Sequence, residues 1–138
     1  MKETRVYMDG VFDLFHVGHV ESIKQIREFG TTIIIGVVSD EDAISYKRKP
    51  IIPQEHRCKM IEQCKYVDEI IFPCPLFVTK QFLIDNNIDV VVHGFKDEED
   101  YKKQKDFFKD INIVVTKYNN IETTTDIINR IKSIFEDV

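Results

Sequence analysis

The sequence predicts an α/β fold in which a parallel β-sheet is covered by helices on both faces. Short runs of β-branched and other apolar residues alternate with segments of helical periodicity along the whole chain. The strand-like runs are continuously apolar, a pattern typical of strands buried on both faces of a parallel sheet. A length of 138 residues suits one domain, so we expect a single domain over residues 1–138.

Five segments are predicted to be strands. They are residues 6–8, 32–38, 67–72, 89–92 and 111–115. Because each is followed by a helical pattern, the strands are expected to be joined by right-handed crossovers.

Five segments are predicted to be helices: residues 19–29, 54–64, 79–86, 100–108 and 125–135. The last segment carries isoleucines at helical spacing, namely Ile127, Ile128, Ile131 and Ile134. This stripe predicts a face that packs in the core. The charged stretch over residues 96–105 mixes both signs and predicts a solvated loop and helix face.

Composition and charge exclude several classes of function. No apolar run reaches the length of about 18 residues that a membrane helix needs, and no apolar signal region follows Met1. The three cysteines lack the paired spacing of a zinc or redox site, which favours reduced thiols and a cytoplasmic location. A net charge of −5 argues against a nucleic-acid partner. An anionic ligand would therefore need a local positive pocket.

The segment after the first predicted strand carries the clearest chemical signal, because ligands of parallel sheets bind where strands lead into helices. Gly10 follows the strand directly, and Gly18 lies between His16 and His19 at the predicted start of the helix. Two imidazoles three residues apart, beside free backbone N–H groups, can face one anion. Such donors suit attack on the α-phosphate of a nucleotide, where charge develops on phosphate oxygens. The alternative is that the two histidines are a helix cap or metal ligands.

The string GVFDLFHVGH over residues 10–19 resembles the signature of the cytidylyltransferase family, within the HxGH nucleotidyltransferase superfamily. Leu14 and His16 stand where adenylyltransferases of that superfamily usually carry proline and threonine, which favours the cytidylyl branch. The similarity continues in the family's order at residues 36–41, Lys47 and residues 54–57, 66–70, 93–94 and 124–128. It is strongest toward the catalytic domains of ethanolamine-phosphate and choline-phosphate cytidylyltransferases.

The resemblance implies a Rossmann-like, doubly wound sheet of about five parallel strands in the order 3-2-1-4-5. It also implies CTP with Mg²⁺, a phosphorylated small alcohol as acceptor, and a homodimer involving residues 66–70. Membrane insertion and nucleic-acid binding are not expected.

The resemblance assigns roles to individual residues. The expected catalytic residues are His16, His19 and Lys47, and no residue is expected to be a metal ligand. The expected nucleotide-binding residues are Gly10, Val11, Phe12, Asp13, His16, Gly18, His19, Arg57, His93, Gly94, Phe95, Lys96, Thr123, Thr124 and Thr125. The expected acceptor-binding residues are Lys47, Phe77, Phe95 and Tyr101.

Some of these assignments leave two possibilities open. Arg57 is held either by the ligand or by an acidic partner, since a basic residue opposes the dipole at a helix start. Asp13 either orders the loop or helps to position magnesium. The three aromatic residues either line the acceptor pocket or belong to the core and surface.

One departure from the family concerns the loop before the last helix. Many members carry an arginine and a glycine where this chain has Tyr118 and Ile121. The arginine grips the triphosphate, so its loss predicts reduced turnover unless Arg48, Lys49, Lys96 or Lys117 takes its place. Thr123 to Thr125 can still bind phosphate oxygens at the helix start.

The sequence thus favours transfer of CMP from CTP to a phosphorylated small alcohol, with release of pyrophosphate. Phosphoethanolamine is the preferred acceptor, ahead of phosphocholine and glycerol 3-phosphate, and the CDP-alcohol would serve phospholipid synthesis. Two alternatives stay open: a module that binds CTP or a CDP-alcohol with little turnover, and an ATP-using adenylyltransferase.

Overall fold

The structure, a computed structural model, describes residues 2–135. Its strands are β1 (Arg5–Gly10), β2 (Thr32–Val37), β3 (Glu69–Ile71), β4 (Val90–Gly94) and β5 (Val114–Thr116). They form one sheet in the order β3-β2-β1-β4-β5, and every neighbouring pair is parallel. The predicted fold class and strand order are confirmed.

The helices are α1 (Val17–Gln25), α2 (Asp40–Tyr46), α3 (Gln54–Glu62), α4 (Lys80–Asp85), α5 (Glu98–Gln104) and α6 (Thr124–Ile134). Single 3₁₀ turns at Ile26–Phe29 and Lys105–Phe108 extend α1 and α5. Sequence periodicity missed α2, because Ala43 is its single buried residue and it presents no apolar stripe. The Ser39 hydroxyl accepts a hydrogen bond from the Asp42 N–H, and acidic residues fill the first turn. That capping pattern was the available signal for this helix.

The pleat of the central strands divides the core between the two faces of the sheet. Val6 and Met8 of β1 pack with residues of α1 and α3 on one face, whereas Tyr7 packs with residues around α4 and α5 on the other. In β2, Ile34 joins Tyr7 while its neighbours join Val6. Helices therefore cover both faces of the strands that lead into the first loop.

Strand β5 and helix α6 are more exposed than the sequence predicts. Val115 of β5 is 61% exposed, so this edge strand is not buried on both faces. The predicted core stripe of α6 is also wrong in part. Ile127 and Ile128 are half-buried, but Ile131 and Ile134 are exposed, so only the first half of α6 is packed against the protein.

The topology places a binding crevice beside β1. The connection from β1 leads through α1 to β2 on one side, while β4 pairs with β1 on the other side. Ligands of open parallel sheets bind outside the carboxyl ends of the strands at such a reversal of order. The loop of residues 11–16 starts at this point.

Two other features of the described chain bear on the expectations. None of the helices within residues 2–135 is both long and apolar enough to cross a bilayer. Cys58, Cys64 and Cys74 are free thiols, with Cys74 buried and the other two half-buried.

Candidate active site

The two histidines of the first loop form the start of α1. His16 is the N-cap residue, and its Nδ1 accepts a hydrogen bond of 3.0 Å from the Gly18 N–H. The His16 N–H in turn donates to Nδ1 of His19 at 3.2 Å. The imidazole rings stack with their centroids 3.7 Å apart and their planes 23° apart. The structure therefore brings the two rings together and fixes both orientations through the backbone.

This cap also determines where each ring carries its proton. A ring nitrogen that accepts a backbone N–H has no proton of its own, so both neutral rings carry it on Nε2. The hydroxyl of Thr124 lies 3.4 Å from Nε2 of His16 and donates to the Asp13 carbonyl. The pair thus has two Nε2–H donors, of which the one on His16 contacts the Thr124 hydroxyl, so a ligand would share or replace that contact. The helix-cap alternative and the ligand-binding role are compatible, because they use opposite nitrogens of the same rings.

Both histidines are neutral at pH 7 in this structure. The pKa of His19 is lowered to about 3, mainly by burial, with smaller contributions from the charges that protonated His16 and Lys47 place beside it. Burial also lowers the pKa of His16, although Glu122 and Asp126 oppose the shift. The two donors are therefore neutral imidazoles. An anion beside them would favour the protonated form of each ring and raise its pKa.

Gly18 is required because the loop before α6 presses against α1 at this point. A Cβ on Gly18 would overlap the Glu122 carbonyl oxygen and the His16 ring. The amide of Asn119 donates to the Gly18 carbonyl at 3.1 Å and to the Ser22 hydroxyl at 2.7 Å. The start of α1 and the start of α6 therefore form one unit around the histidine pair.

Asp13 supports the first loop and does not face the ligand space with a free carboxylate. Its two oxygens accept hydrogen bonds from the N–H groups of Ile51 and Ile52 at 2.8 and 2.9 Å. The residue is 4% exposed. Of the two roles left open by the sequence, ordering of the loop is the one that the structure supports.

Arg57 is a correction to the expected site, because its side chain is fully buried beneath the loop. Its guanidinium donates to the carbonyls of Val11 and Val38, to the carbonyl of Ile52, and to the Asp40 carboxylate. Every nitrogen of the fork is engaged, so none is left for a nucleotide. The acidic partner is the alternative that holds, and Arg57 ties β1, β2 and α3 together.

Two adjoining cavities open in front of the histidine pair. The main cavity has a volume of about 330 Å³ and the side cavity about 250 Å³. The residues that line both are Val11, Phe12, His16, His19, Lys47, Lys96, Lys103 and Tyr118. We call these eight residues the shared wall. The expected catalytic residues His16, His19 and Lys47 all belong to it.

Most of the expected nucleotide-binding residues face one cavity or the other. Gly10, Gly18, His93 and Gly94 line the main cavity. Thr123, Thr124 and Thr125 line the side cavity at the start of α6. Thr123 is the N-cap of this eleven-residue helix, so the free N–H groups of its first turn lie beside the side cavity.

Three expected acceptor-binding aromatics line neither cavity. Phe95 packs against His93 and Tyr101, with ring centroids 4.8 and 5.0 Å away. Phe77 packs edge-on against Phe107 at 5.2 Å. These rings stabilise the layer behind β4 and the segment around α5. The cavities therefore give no support to a binding role for Phe77, Phe95 and Tyr101, and the acceptor-binding and nucleotide-binding roles of these residues stay predictions.

Lys47 directly follows the last residue of α2 and is one of the residues of the shared wall. Desolvation by the surrounding protein lowers its pKa, while Asp100 opposes that shift and Arg48 and Lys96 reinforce it. Of the residues expected to replace the missing arginine, Arg48 lines the side cavity, Lys117 the main cavity and Lys96 both, whereas Lys49 lines neither. Tyr118, which stands at the arginine position, is part of the shared wall.

Sequence analysis missed an acidic residue on the wall of the main cavity. Asp9 is the residue before the last one of β1, its side chain is 10% exposed, and its Oδ1 lies 3.8 Å from Nδ1 of His93. Burial raises the pKa of Asp9 to about 7. His93 cannot neutralise this carboxylate, because burial lowers the pKa of His93 to about 4. A charged residue at the carboxyl end of a buried strand was the signal that could have identified Asp9.

The segment around α5 also contributes to the site, which the expectation of a solvated face did not include. Asp97, Glu99, Asp100 and Lys103 line the main cavity. Across residues 2–135, no group of three or more histidine, cysteine, aspartate or glutamate side chains is placed to hold a metal ion.

The chain is similar to known nucleotidyltransferases over most of its length. A sequence model of a family described as "Cytidylyltransferase-like" matches residues 7–134. An ethanolamine-phosphate cytidylyltransferase of Arabidopsis thaliana is 42% identical over 97 residues, which is 67% of this chain and 23% of that protein. A choline-phosphate cytidylyltransferase of Saccharomyces cerevisiae is 36% identical over 135 residues, covering 92% of this chain and 31% of that protein. The chain therefore spans less than a third of the length of these relatives.

Solved structures show the same fold. A lipopolysaccharide core biosynthesis protein from Thermoplasma volcanium superposes with a TM-score of 0.67 at 25% identity, over 86% of this chain and all of that one. A protein of unknown function from Archaeoglobus fulgidus superposes with a TM-score of 0.56 at 20% identity, over 85% of this chain and 99% of that one.

Replacing Arg57 tests its structural role. We expect R57M to lower the free energy of unfolding by about 3 kcal/mol or more, because three buried carbonyls and Asp40 lose their partner. Urea denaturation followed by circular dichroism measures the change. R130M is the matched control, since Arg130 also pairs with a carboxylate but lies exposed, and it should change stability little. An R57M protein as stable as wild type would contradict the structural role.

The neutral state of His19 predicts a dependence of stability on pH. The unfolded chain binds a proton at this histidine below about pH 6.5, whereas the folded protein does so only near pH 3. The free energy of unfolding of wild type relative to H19Q should therefore fall by about 2 kcal/mol between pH 7 and pH 5. Comparison with H19Q removes the contribution of Asp9, whose raised pKa acts in the opposite direction. Urea denaturation at several pH values measures the difference, which should stay constant above pH 7. An equal difference at pH 5 and pH 7 would show that His19 is protonated in the folded protein.

Proposed function

Because this chain belongs to the cytidylyltransferase-like family, we propose that it transfers CMP from CTP to phosphoethanolamine. The products are CDP-ethanolamine and pyrophosphate. The observation that supports the proposal is the stacked pair of His16 and His19, which carries an Nε2–H donor on each ring and lines both cavities. Two adjoining cavities that share these N–H donors suit a reaction in which two phosphorylated substrates are brought together.

The reaction requires no covalent enzyme intermediate. An oxygen of the acceptor phosphate attacks the α-phosphorus of CTP, and the bond between that phosphorus and the bridging oxygen of pyrophosphate breaks. A phosphate monoester is largely ionised at pH 7, so no general base is needed. The Nε2–H groups of His16 and His19 donate to α-phosphate oxygens as charge develops there. Lys47 can contact both phosphates because its flexible ammonium is a mobile point charge.

The first turn of α6 suits the triphosphate. The free N–H groups after Thr123 lie at the positive end of the helix dipole, beside the side cavity. The Thr124 hydroxyl links this turn to His16 and to the first loop. A phosphate chain that extends from the histidine pair toward α6 would meet backbone donors along its length.

Asp9 supplies the preference for an amine. Burial raises the pKa of its carboxyl group, and the neighbouring His93 is too weakly basic to offset this. An ammonium group in the main cavity would form a charge-assisted hydrogen bond with this carboxylate and lower its pKa again. Phosphoethanolamine carries an ammonium two carbons from its phosphate, so one molecule can reach from Asp9 toward Lys47. Glycerol 3-phosphate offers no such charge.

A quaternary ammonium fits this wall less well. It has no N–H group to donate, and proteins recognise it by surrounding it with aromatic faces. The chain contains no tryptophan, and Tyr46, which lines the main cavity, packs edge-on with Phe107. Phosphocholine is therefore the less favoured acceptor.

Magnesium enters this proposal as part of the substrate. The described residues offer no preformed cluster of three ligands, so the ion would take most of its ligands from the triphosphate. Its chemistry there is to neutralise phosphate charge. The homodimer and the cytoplasmic location stay predictions.

The reaction is tested by measuring pyrophosphate release with MgCTP or MgATP, each combined with phosphoethanolamine, phosphocholine or glycerol 3-phosphate. We expect the fastest release with MgCTP and phosphoethanolamine. H16Q and H19Q should each lower kcat by about 100-fold or more, because each removes a donor to the transition state. A preference for MgATP would establish an adenylyltransferase. Tight CTP binding without release by wild type would instead establish a binding module, which Tyr118 at the arginine position favours.

The role of Asp9 is tested with the D9N variant. We expect KM for phosphoethanolamine to rise about tenfold while KM for CTP stays unchanged, because a charge-assisted contact with the amine is lost. Glycerol 3-phosphate is the internal control, since its KM should not change in D9N. In wild type, KM for phosphoethanolamine should also rise as the pH falls below 7 and Asp9 gains a proton. An equal effect of D9N on all acceptors would contradict an amine-binding role.

A further inference from the structure

We propose that Lys103 binds the phosphate groups of the nucleotide, a role that rests on the proposed function. Three lysines belong to the shared wall: Lys47, Lys96 and Lys103. We call them the lysine cluster. Arg48 and Lys117 each reach one cavity, so these three are the cations that can contact a phosphate chain crossing between the cavities.

The backbone of α5 holds Lys103 in this place. The neighbouring Gln104 is buried, and its amide donates to Oδ1 of Asp100 at 2.6 Å. The other oxygen of Asp100 accepts the N–H of Lys96 at 2.9 Å. One carboxylate therefore ties the end of β4 to the last turn of α5, and it presents Lys96 and Lys103 toward the same wall.

The ammonium of Lys103 is free to exchange partners. Its ion pair is with Glu99, one helical turn earlier, at 3.6 Å. The Lys103 side chain is 50% exposed and that of Glu99 is 80% exposed, and such exposed pairs contribute little to stability. A triphosphate carries more negative charge than a carboxylate, so it would displace Glu99. The pair thus keeps the ammonium at the cavity until an anion arrives.

The lysine cluster also offsets negative charge around the main cavity. The protein has a net charge of −5, and Asp9, Asp97, Glu99 and Asp100 line the main cavity. A nucleotide entering this field needs cations at close range. Tyr118 brings no charge to the wall, whereas Lys103 adds a third ammonium beside the neutral histidines.

The experiment compares the dissociation constants of MgCTP, MgATP and CMP for the 138-residue wild-type protein, K103Q, K103R and K102Q by isothermal titration calorimetry. K102Q is the matched control, because Lys102 is the preceding residue on α5 and lines neither cavity. We expect K103Q to weaken MgCTP binding about tenfold and CMP binding less than twofold, since the lost contact is with the outer phosphates. K103R should retain most of the affinity, and K102Q should match wild type. Melting temperatures should agree among all four proteins.

The outcomes separate the two proposals. If K103Q binds MgCTP as K102Q does, or loses CMP and MgCTP affinity equally, the role of Lys103 is overturned while the proposed reaction stands. If wild type prefers MgATP, or binds MgCTP without releasing pyrophosphate, and K103Q still weakens nucleotide binding tenfold, the proposed reaction fails and the role of Lys103 stands. If wild type binds neither nucleotide, both are overturned.

Discussion

The site depends on the reciprocal hydrogen bonds between the backbone and the two imidazoles at the start of α1. The Gly18 N–H occupies Nδ1 of His16, and the His16 N–H occupies Nδ1 of His19. These bonds stabilise the first turn of the helix, as a capping box does. The same bonds leave a proton on each Nε2, so one local interaction both begins the helix and sets the orientation of two N–H donors.

Arg57, Asp13 and the loop before α6 hold the first loop and the start of α1 in place. Arg57 holds the first loop from below through the carbonyls of Val11 and Val38, and Asp13 holds it through the N–H groups of Ile51 and Ile52. The loop before α6 closes over Gly18 from above. These supports come from α3, from the end of β2 and from the loop before α6, so the orientation of the two imidazoles depends on the assembled sheet. The imidazoles would therefore need little rearrangement to bind an anion.

The electrostatics of the cavities are mixed, and this suits a pair of substrates of different charge. Lysines and neutral N–H donors lie together on the shared wall. Asp9, whose pKa burial raises to about 7, lines only the main cavity. The relatives that the chain resembles act on ethanolamine phosphate or choline phosphate, according to their names. In the reaction that we propose, a phosphate would lie against the shared wall and an ammonium near Asp9.

The sequence by itself determined the order of the five strands and of every helix except α2, together with the position of the histidine pair. Both follow from local patterns: continuous apolar runs make strands, and the cap residues of α1 are neighbours along the chain. Tertiary structure alone decided that Arg57 is buried, that Phe77, Phe95 and Tyr101 pack away from the cavities, and that Asp9 and Lys103 line them. It also decided that half of the α6 stripe is exposed. The physical reason is that the partners of these side chains are far away in sequence, so their burial and charge environment exist only after the sheet and its helices have packed.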